Sequence, residues 1–285
     1  MTTSSLAITV SKVSADSAKS PDRDLVEDRV AVEEPLEIRL GYATPEGNTA
    51  SSISVTMRTP GDDAELAVGF LFSESIIQSA ADVLNVAHSG PAAPDTGSRN
   101  IIRIDLAAHV DVDLGRLQRN FYTTSSCGVC GKSSLDALRV IGAEPIKGDK
   151  GRFAKEVLIA MPDALRDRQR AFEQTGGLHA AAAFNSQGEI LVVHEDVGRH
   201  NALDKVIGSL LTQGLLPASD IGLLVSGRAS FELMQKTLIA GIPLLAAVSA
   251  PSSLAVQLAN EFNVSLVGFL RDDTFNIYSA GERIT

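Results

Sequence analysis

Hydrophobic and polar residues alternate in short runs through the first part of the chain. Val30 and Val32, then Leu36, Ile38 and Leu40, then Ile53, Val55 and Met57 fall on every second position, the period of half-buried strands. Thr59-Pro60-Gly61-Asp62-Asp63 is a turn that leads into a helix predicted over 64–72. Ile102, Ile104 and Leu106 alternate with Arg103 and Asp105 in a strand over 100–106, and the Gly-, Pro- and Ser-rich stretch 87–99 reads as a loop.

The second half is more regular. A helix is predicted over 162–174, with proline at its first position and Gly176-Gly177 as its stop. Strands at 179–184 and 189–193 are joined by the turn Asn185-Ser186-Gln187-Gly188, and a helix over 199–211 follows. Strands at 221–225, 243–248 and 264–270 then alternate with helices at 230–239 and 254–262. That order predicts βαβ units and a parallel sheet covered on both faces. The chain divides into a poorly ordered tail (1–24), a mixed, strand-rich lobe (25–120) and an α/β domain (121–285).

Composition narrows the function classes. The 285 residues are 44% hydrophobic and 21% charged, as in ordinary globular proteins, and the net charge of −10 argues against nucleic acid or an anionic membrane as a non-specific partner. The apolar stretch near 238–250 contains Gly241 and Pro243 and is too short for a bilayer. The N-terminus shows no secretion signal, so an intracellular, reducing environment is expected. Two cysteines exclude a disulfide framework and a four-cysteine zinc site within one chain.

Those cysteines stand three positions apart, in Ser126-Cys127-Gly128-Val129-Cys130-Gly131-Lys132-Ser133. Ser133 and Asp136 fit a capping arrangement for a helix that runs to Ile141, so the dithiol is expected on a loop at a helix N-terminus. Backbone N–H groups there and the Lys132 ammonium favour thiolate. Two inert thiols remain the plain alternative. A zinc site needs further ligands, and His179, His194 and His200 lack the usual spacing, although four thiolates across a dimer would suffice. Gly131-Lys132-Ser133 is no P-loop, because Ser126 stands where that motif requires glycine, and the zinc deaminase signature fails as well. A disulfide-exchanging pair and a persulfide carrier are left, and residue chemistry alone does not separate them.

A second concentration of polar residues falls at strand ends. His194 to Asn201 packs titratable groups between a strand and a helix, where they serve either a site or the helix terminus. Val225-Ser226-Gly227-Arg228-Ala229-Ser230 and Val248-Ser249-Ala250-Pro251-Ser252-Ser253 repeat V-S-x-x-x-S at an offset of 23 residues. Parallel strands would bring both loops, and Phe269-Leu270-Arg271-Asp272-Asp273-Thr274, to one sheet edge suited to phosphate. Arg228 and Arg271 would clamp phosphates there, and Asp272 or Asp273 would accept from a purine or ribose.

Taken together, Cys127-Gly128-Val129-Cys130-Gly131, the run His194 to Lys205, and Ser226-Gly227-Arg228 through Pro251-Ser252 resemble the FdhD family of formate dehydrogenase accessory sulfurtransferases. Glu34-Pro35-Leu36, Thr59 to Asp63 and Gly69-Phe70-Leu71 resemble its N-terminal motifs, and the likeness runs from about 30 to 283. The resemblance implies a cytoplasmic homodimer with a cytidine-deaminase-like three-layer α/β sandwich, without zinc. It implies a cysteine desulfurase as sulfur donor and formate dehydrogenase as client. The acceptor would be the molybdenum (or tungsten) bis-molybdopterin guanine dinucleotide, for which guanosine diphosphate is a natural mimic. Cys127 would carry the persulfide and Cys130 assist. The guanine dinucleotide is expected at Phe269, Leu270, Arg271, Asp272, Asp273 and Thr274, with Ser226, Gly227, Arg228 and Ser249 nearby. A thiol–disulfide oxidoreductase and a non-catalytic nucleotide-binding chaperone are the alternatives.

Overall fold

The computed structural model describes residues 4–13, 24–44, 47–93, 97–112, 144–147 and 151–285; Cys127, Cys130 and the helix expected after them lie outside these. Six helices and three sheets form among the described residues. Strands β1 (Ser5–Lys12) and β2 (Asp24–Ala31) pair antiparallel, Ser5 opposite Ala31 and Lys12 opposite Asp24. Residues 5–12, expected within a poorly ordered tail, are thus a strand. Leu6 and Val10 face Val30 and Val26 across the pair, and such cross-strand apolar pairs are what a two-stranded ribbon has to hold it. The Ser5 hydroxyl donates to Gln174 at 3.2 Å and accepts from Arg29 at 2.7 Å, which ties the ribbon down.

A four-stranded sheet follows, in the order β4 (Gly47–Arg58), β3 (Glu34–Thr44), β6 (Ile101–Leu106), β5 (Val83–His88). Strand β5 escaped sequence reading. Its polar and apolar positions do not alternate cleanly, Leu84 is exposed, and a register shift lies between Val83 and Asn85. The turn at Thr59–Asp63 leads into helix α1 (Asp63–Ser73) as its composition predicts.

The six-stranded sheet runs β12 (Thr274–Ser279), β11 (Ser265–Arg271), β10 (Leu244–Ala247), β9 (Ile221–Val225), β7 (His179–Asn185), β8 (Ile190–Asp196). Only β9, β10 and β11 are parallel to one another, so the expectation of a parallel sheet holds for its centre alone. The flanking pairs β7–β8 and β11–β12 are joined by short turns, which can only reverse the chain, and both are antiparallel. The helix expected over 162–174 is two helices, α2 (Lys155–Arg166) and α3 (Arg170–Thr175). Leu158, Met161 and Leu165 form a buried stripe that carries α2 through Pro162, so proline marks neither end. Gly176, at φ 64°, closes α3.

Period-two alternation in the large sheet sorts its side chains into two cores. Ala180, Ala182, Phe184, Leu224, Leu244, Ala246 and Val267 meet α2 on one face. Ala181, Ala183, Leu223, Val225, Leu245 and Ala247 face α4 (Arg199–Thr212), α5 (Phe231–Ile239) and α6 (Ser253–Glu261). That second core continues through α1 into Leu36, Ile38, Leu40, Ile102 and Ile104, so the strand-rich lobe shares its interior with the rest. Helices α1 and α4 cross where Gly69 faces the Asp204 carbonyl and Gly208 faces that of Glu65; a Cβ on either glycine would collide with backbone. Among the described residues, no helix is long and apolar enough to cross a membrane.

Candidate functional site

Because β9, β10 and β11 run the same way, their C-terminal ends lie at one edge of the sheet. Strand β7 is antiparallel to β9, so it begins at that edge with His179, directly opposite Asp196 at the end of β8. The segment 194–200, Ser226 to Arg228, Ser249 and Phe269 therefore converge. Backbone bonds stitch them together. Ser226 N–H donates to the Ala180 carbonyl, and Ala180 N–H to the Ser226 hydroxyl, both at 2.9 Å. Ser249 N–H donates to the Gly227 carbonyl at 3.4 Å, and its own carbonyl accepts from Phe269 N–H at 3.2 Å.

The stretch 269–274 is a bulged strand end and a hairpin tip. Phe269 adopts φ 53°, a conformation costly for an aromatic residue, where the β11–β12 register slips between Gly268 and Arg271. The Arg271 guanidinium lies 5.8 Å from the centre of the Phe269 ring. Asp272 and Asp273, both at positive φ, are the two central residues of the tight turn before Thr274, and the residues from Arg271 to Thr274 are exposed. Leu270 points into the core beneath and has only its backbone to offer.

The titratable run at 194–200 splits into groups tied into the scaffold and groups at the edge. Glu195 accepts from the N–H groups of Ala171 and Phe172 at 2.9 and 2.7 Å, capping the start of α3. Asp196, fully buried, accepts from Thr59 N–H, Gly198 N–H, the Asn201 amide and Lys205 Nζ, the last at 2.8 Å. His194 bridges Asp62 (Nδ1, 3.0 Å) and Ser209 (Nε2, 2.8 Å), and it holds the Asp62 carboxyl below the usual range. An Asp–His–Ser chain of this shape suggests acyl transfer, but Ser209 is buried within α4 and offers no approach to a carbonyl. It is a strap between the Thr59–Asp63 turn and the helix.

Arg199 and His200 are different. The carboxylates nearest in sequence, Glu195 and Asp196, are taken by other partners. Arg199 Nε is closed off from solvent and lacks a hydrogen-bond partner among the described residues. Burial pushes His200 down to about 4, with Arg199 and Lys236 acting in the same direction. Burial also lowers His179, reinforced by Arg199 and Arg228. Four nitrogen-bearing side chains thus share one neighbourhood, with Arg228 on an exposed loop at its rim. Sequence reasoning singled out Arg228 for phosphate, weighed His179 only as a zinc ligand, and read Arg199 within the 194–201 run as serving a site or the helix terminus, without joining the three. The signal available was topological: the β7–β8 hairpin sets His179 opposite Asp196, three residues before Arg199, and the β7–β9 pairing carries His179 to Gly227. A cavity of about 330 Å³, lined by Thr59, Asp62, Arg168, Arg170, His194 and Glu195 among others, lies to the side and includes none of the four. No cluster able to hold a metal ion occurs among the described residues.

Residues 31–285 match the family described as the FdhD/NarQ family. The sulfur carrier protein FdhD of Mycolicibacterium paratuberculosis is 54% identical over 256 residues, covering 90% of this chain and 91% of that one. The sulfur carrier protein FdhD of Saccharolobus solfataricus is 42% identical over 257 residues, again 90% of this chain and 91% of the other. A crystal structure described as a formate dehydrogenase accessory protein from Desulfotalea psychrophila superposes with a TM-score of 0.73 over 99% of both chains, at 23% identity.

Proposed function

Because this chain belongs to the FdhD/NarQ family, we propose that it is a sulfur carrier that matures formate dehydrogenase. On this reading the Cys127 thiolate attacks the outer sulfur of a persulfide on a cysteine desulfurase. The donor leaves as its thiolate and Cys127 holds the sulfur as a persulfide, with Cys130 assisting its release. The acceptor substrate is the molybdenum bis-molybdopterin guanine dinucleotide. Its guanine end would meet Phe269 to Thr274, and Ser226, Gly227, Arg228 and Ser249 would approach its phosphates. A cytidine-deaminase-like arrangement, a homodimer and a cytoplasmic location belong to the same reading.

What supports it is the convergence of the three strand-end loops on one edge, linked through the Ser249 backbone, together with names that the relatives carry. Two measurements test it. Incubation with a cysteine desulfurase and cysteine should add about 32 Da, removable by reductant and lost in Cys127→Ala. A reversible two-electron couple without that gain would favour the oxidoreductase instead. Guanosine diphosphate should bind, and more weakly to Arg271→Ala.

A further inference from the structure

We propose that His179, Arg199, His200 and Arg228 form a subsite for a doubly charged oxyanion, a phosphoryl or pyrophosphoryl group, at the C-terminal edge of the six-stranded sheet. The proposal rests on the reading that this edge receives a dinucleotide, and it places the phosphates against the start of α4 rather than at the hairpin tip.

The first argument is an unfilled hydrogen bond. A guanidinium nitrogen shut away from water without an acceptor is costly, and Arg199 Nε is in that position among the described residues. An oxyanion seated there supplies the acceptor. The second is charge. Arg199 and Arg228 both bear on His179, while Arg199 and Lys236 bear on His200. Asp196 and Glu232 answer them only in part. Asp196 is engaged by Lys205, and Asp204 by Lys236, each pair at 2.8 Å. Glu232 stands 3.9 Å from His200 on the solvent side. Glu232, itself half-exposed, is thus the carboxylate that answers Arg199 and His200, and an anion of charge −2 would complete the balance.

Local geometry adds donors. Arg199 is the first residue of the 14-residue helix α4, whose N-cap, Gly198, supplies no side-chain acceptor, while the Asp196 carboxylate already accepts from Gly198 N–H at that end. His200 Nε2 lies 3.3 Å from the hydroxyl of Ser230, the residue that caps α5. At Gly227 a Cβ would sit 3.3 Å from His179 Nδ1, so the glycine keeps backbone and imidazole close. Guanidinium forks match tetrahedral oxyanions better than point charges do, and neutral imidazoles donate without adding repulsion.

Titration calorimetry on the full chain tests the subsite with inorganic pyrophosphate, guanosine diphosphate and guanosine as separate probes. Pyrophosphate should bind the wild type and bind at least about tenfold more weakly to Arg228→Gln and to Arg199→Gln, one lost charge-assisted contact each. Arg199→Lys should recover only part of the loss, since it restores charge without Nε. Guanosine affinity should stay unchanged in all three. No pyrophosphate binding by the wild type, or equal affinity in wild type and both glutamine variants, overturns the subsite. Guanosine diphosphate binding that persists in that event leaves the dinucleotide reading standing. Pyrophosphate binding without any guanosine diphosphate binding upholds the subsite and removes the dinucleotide. Arg228 lies on an exposed loop, so its variant decides the matter if Arg199→Gln fails to fold.

Discussion

Lys205 on α4 and Asp196 at the end of β8 form an ion pair at 2.8 Å with both side chains out of solvent. Lys205 also donates to the carbonyls of Thr59 and Glu195, and Asp196 accepts from Thr59 N–H, so the pair fastens the turn after β4 to the sheet edge. Removing one partner leaves a buried charge uncompensated. Lys205→Met should therefore destabilise the protein by about 3–5 kcal/mol, read as a lower urea midpoint. Adding Asp196→Asn should recover part of that loss, because the orphaned carboxylate is gone. A Lys205→Met variant as stable as wild type would show that the pair is not what holds the turn.

His200 gives the acid response a direction. The folded protein keeps the imidazole neutral down to about 4, whereas its ordinary value is 6.5. Between those values the unfolded chain binds more protons, so stability falls as pH is lowered from 6.5 towards 4. Arg199, Lys236 and His179 act against protonation and Glu232 favours it. With 39% of the side chain exposed, solvent narrows the pH window over which this loss accrues compared with a fully buried imidazole. His200→Gln should flatten this part of the stability curve, measured by urea unfolding at several pH values. An unchanged slope would assign the acid sensitivity elsewhere.

The crossing of α1 and α4 depends on having no Cβ at two positions. Gly69→Ala should cost about 1–3 kcal/mol or more, since the methyl group meets the Asp204 carbonyl rather than a movable side chain. Gly214→Ala makes the contrast: nothing lies near its Cβ, and its φ of 70° supplies strain alone. Thermal unfolding that moves less for Gly69→Ala than for Gly214→Ala would mean that the helices separate easily.

Much of this was legible in the chain, and the failures have physical causes. The strand–helix alternation after residue 220 placed β9, α5, β10, α6 and β11 closely, because fully buried strands and serine-capped helices leave strong local marks. The turn at 185–188 gave the β7–β8 hairpin, but strand β12 and the antiparallel placing of β7 against β9 were not foreseen, since strand pairing is a tertiary fact that periodicity does not encode. Pro162 misled because a buried stripe outweighs one missing N–H. The candidate edge was read from its serines and Arg228. His179 and Arg199 were not joined to Arg228, because the β7–β8 hairpin that sets His179 opposite Asp196 and the β7–β9 pairing that brings it towards Gly227 are tertiary facts.

Phe269 joins backbone strain to the edge it helps to form. Its positive φ costs an L-aromatic residue about 1–3 kcal/mol, yet its N–H reaches the Ser249 carbonyl and its ring lies beside Arg271. Phe269→Gly removes the strain and the ring together. Phe269 is half-buried, so the lost packing and the relieved strain are of similar size and largely offset. The unfolding midpoint should therefore move little, while guanosine diphosphate binding weakens because Arg271 loses the surface that orients it. Phe269→Leu keeps the strain and much of the apolar contact but not the aromatic face. It should lose stability, since leucine relieves nothing, and should bind the nucleotide no better than the glycine variant. Wild-type affinity in both variants would show that the ring plays no part in holding Arg271 for a ligand.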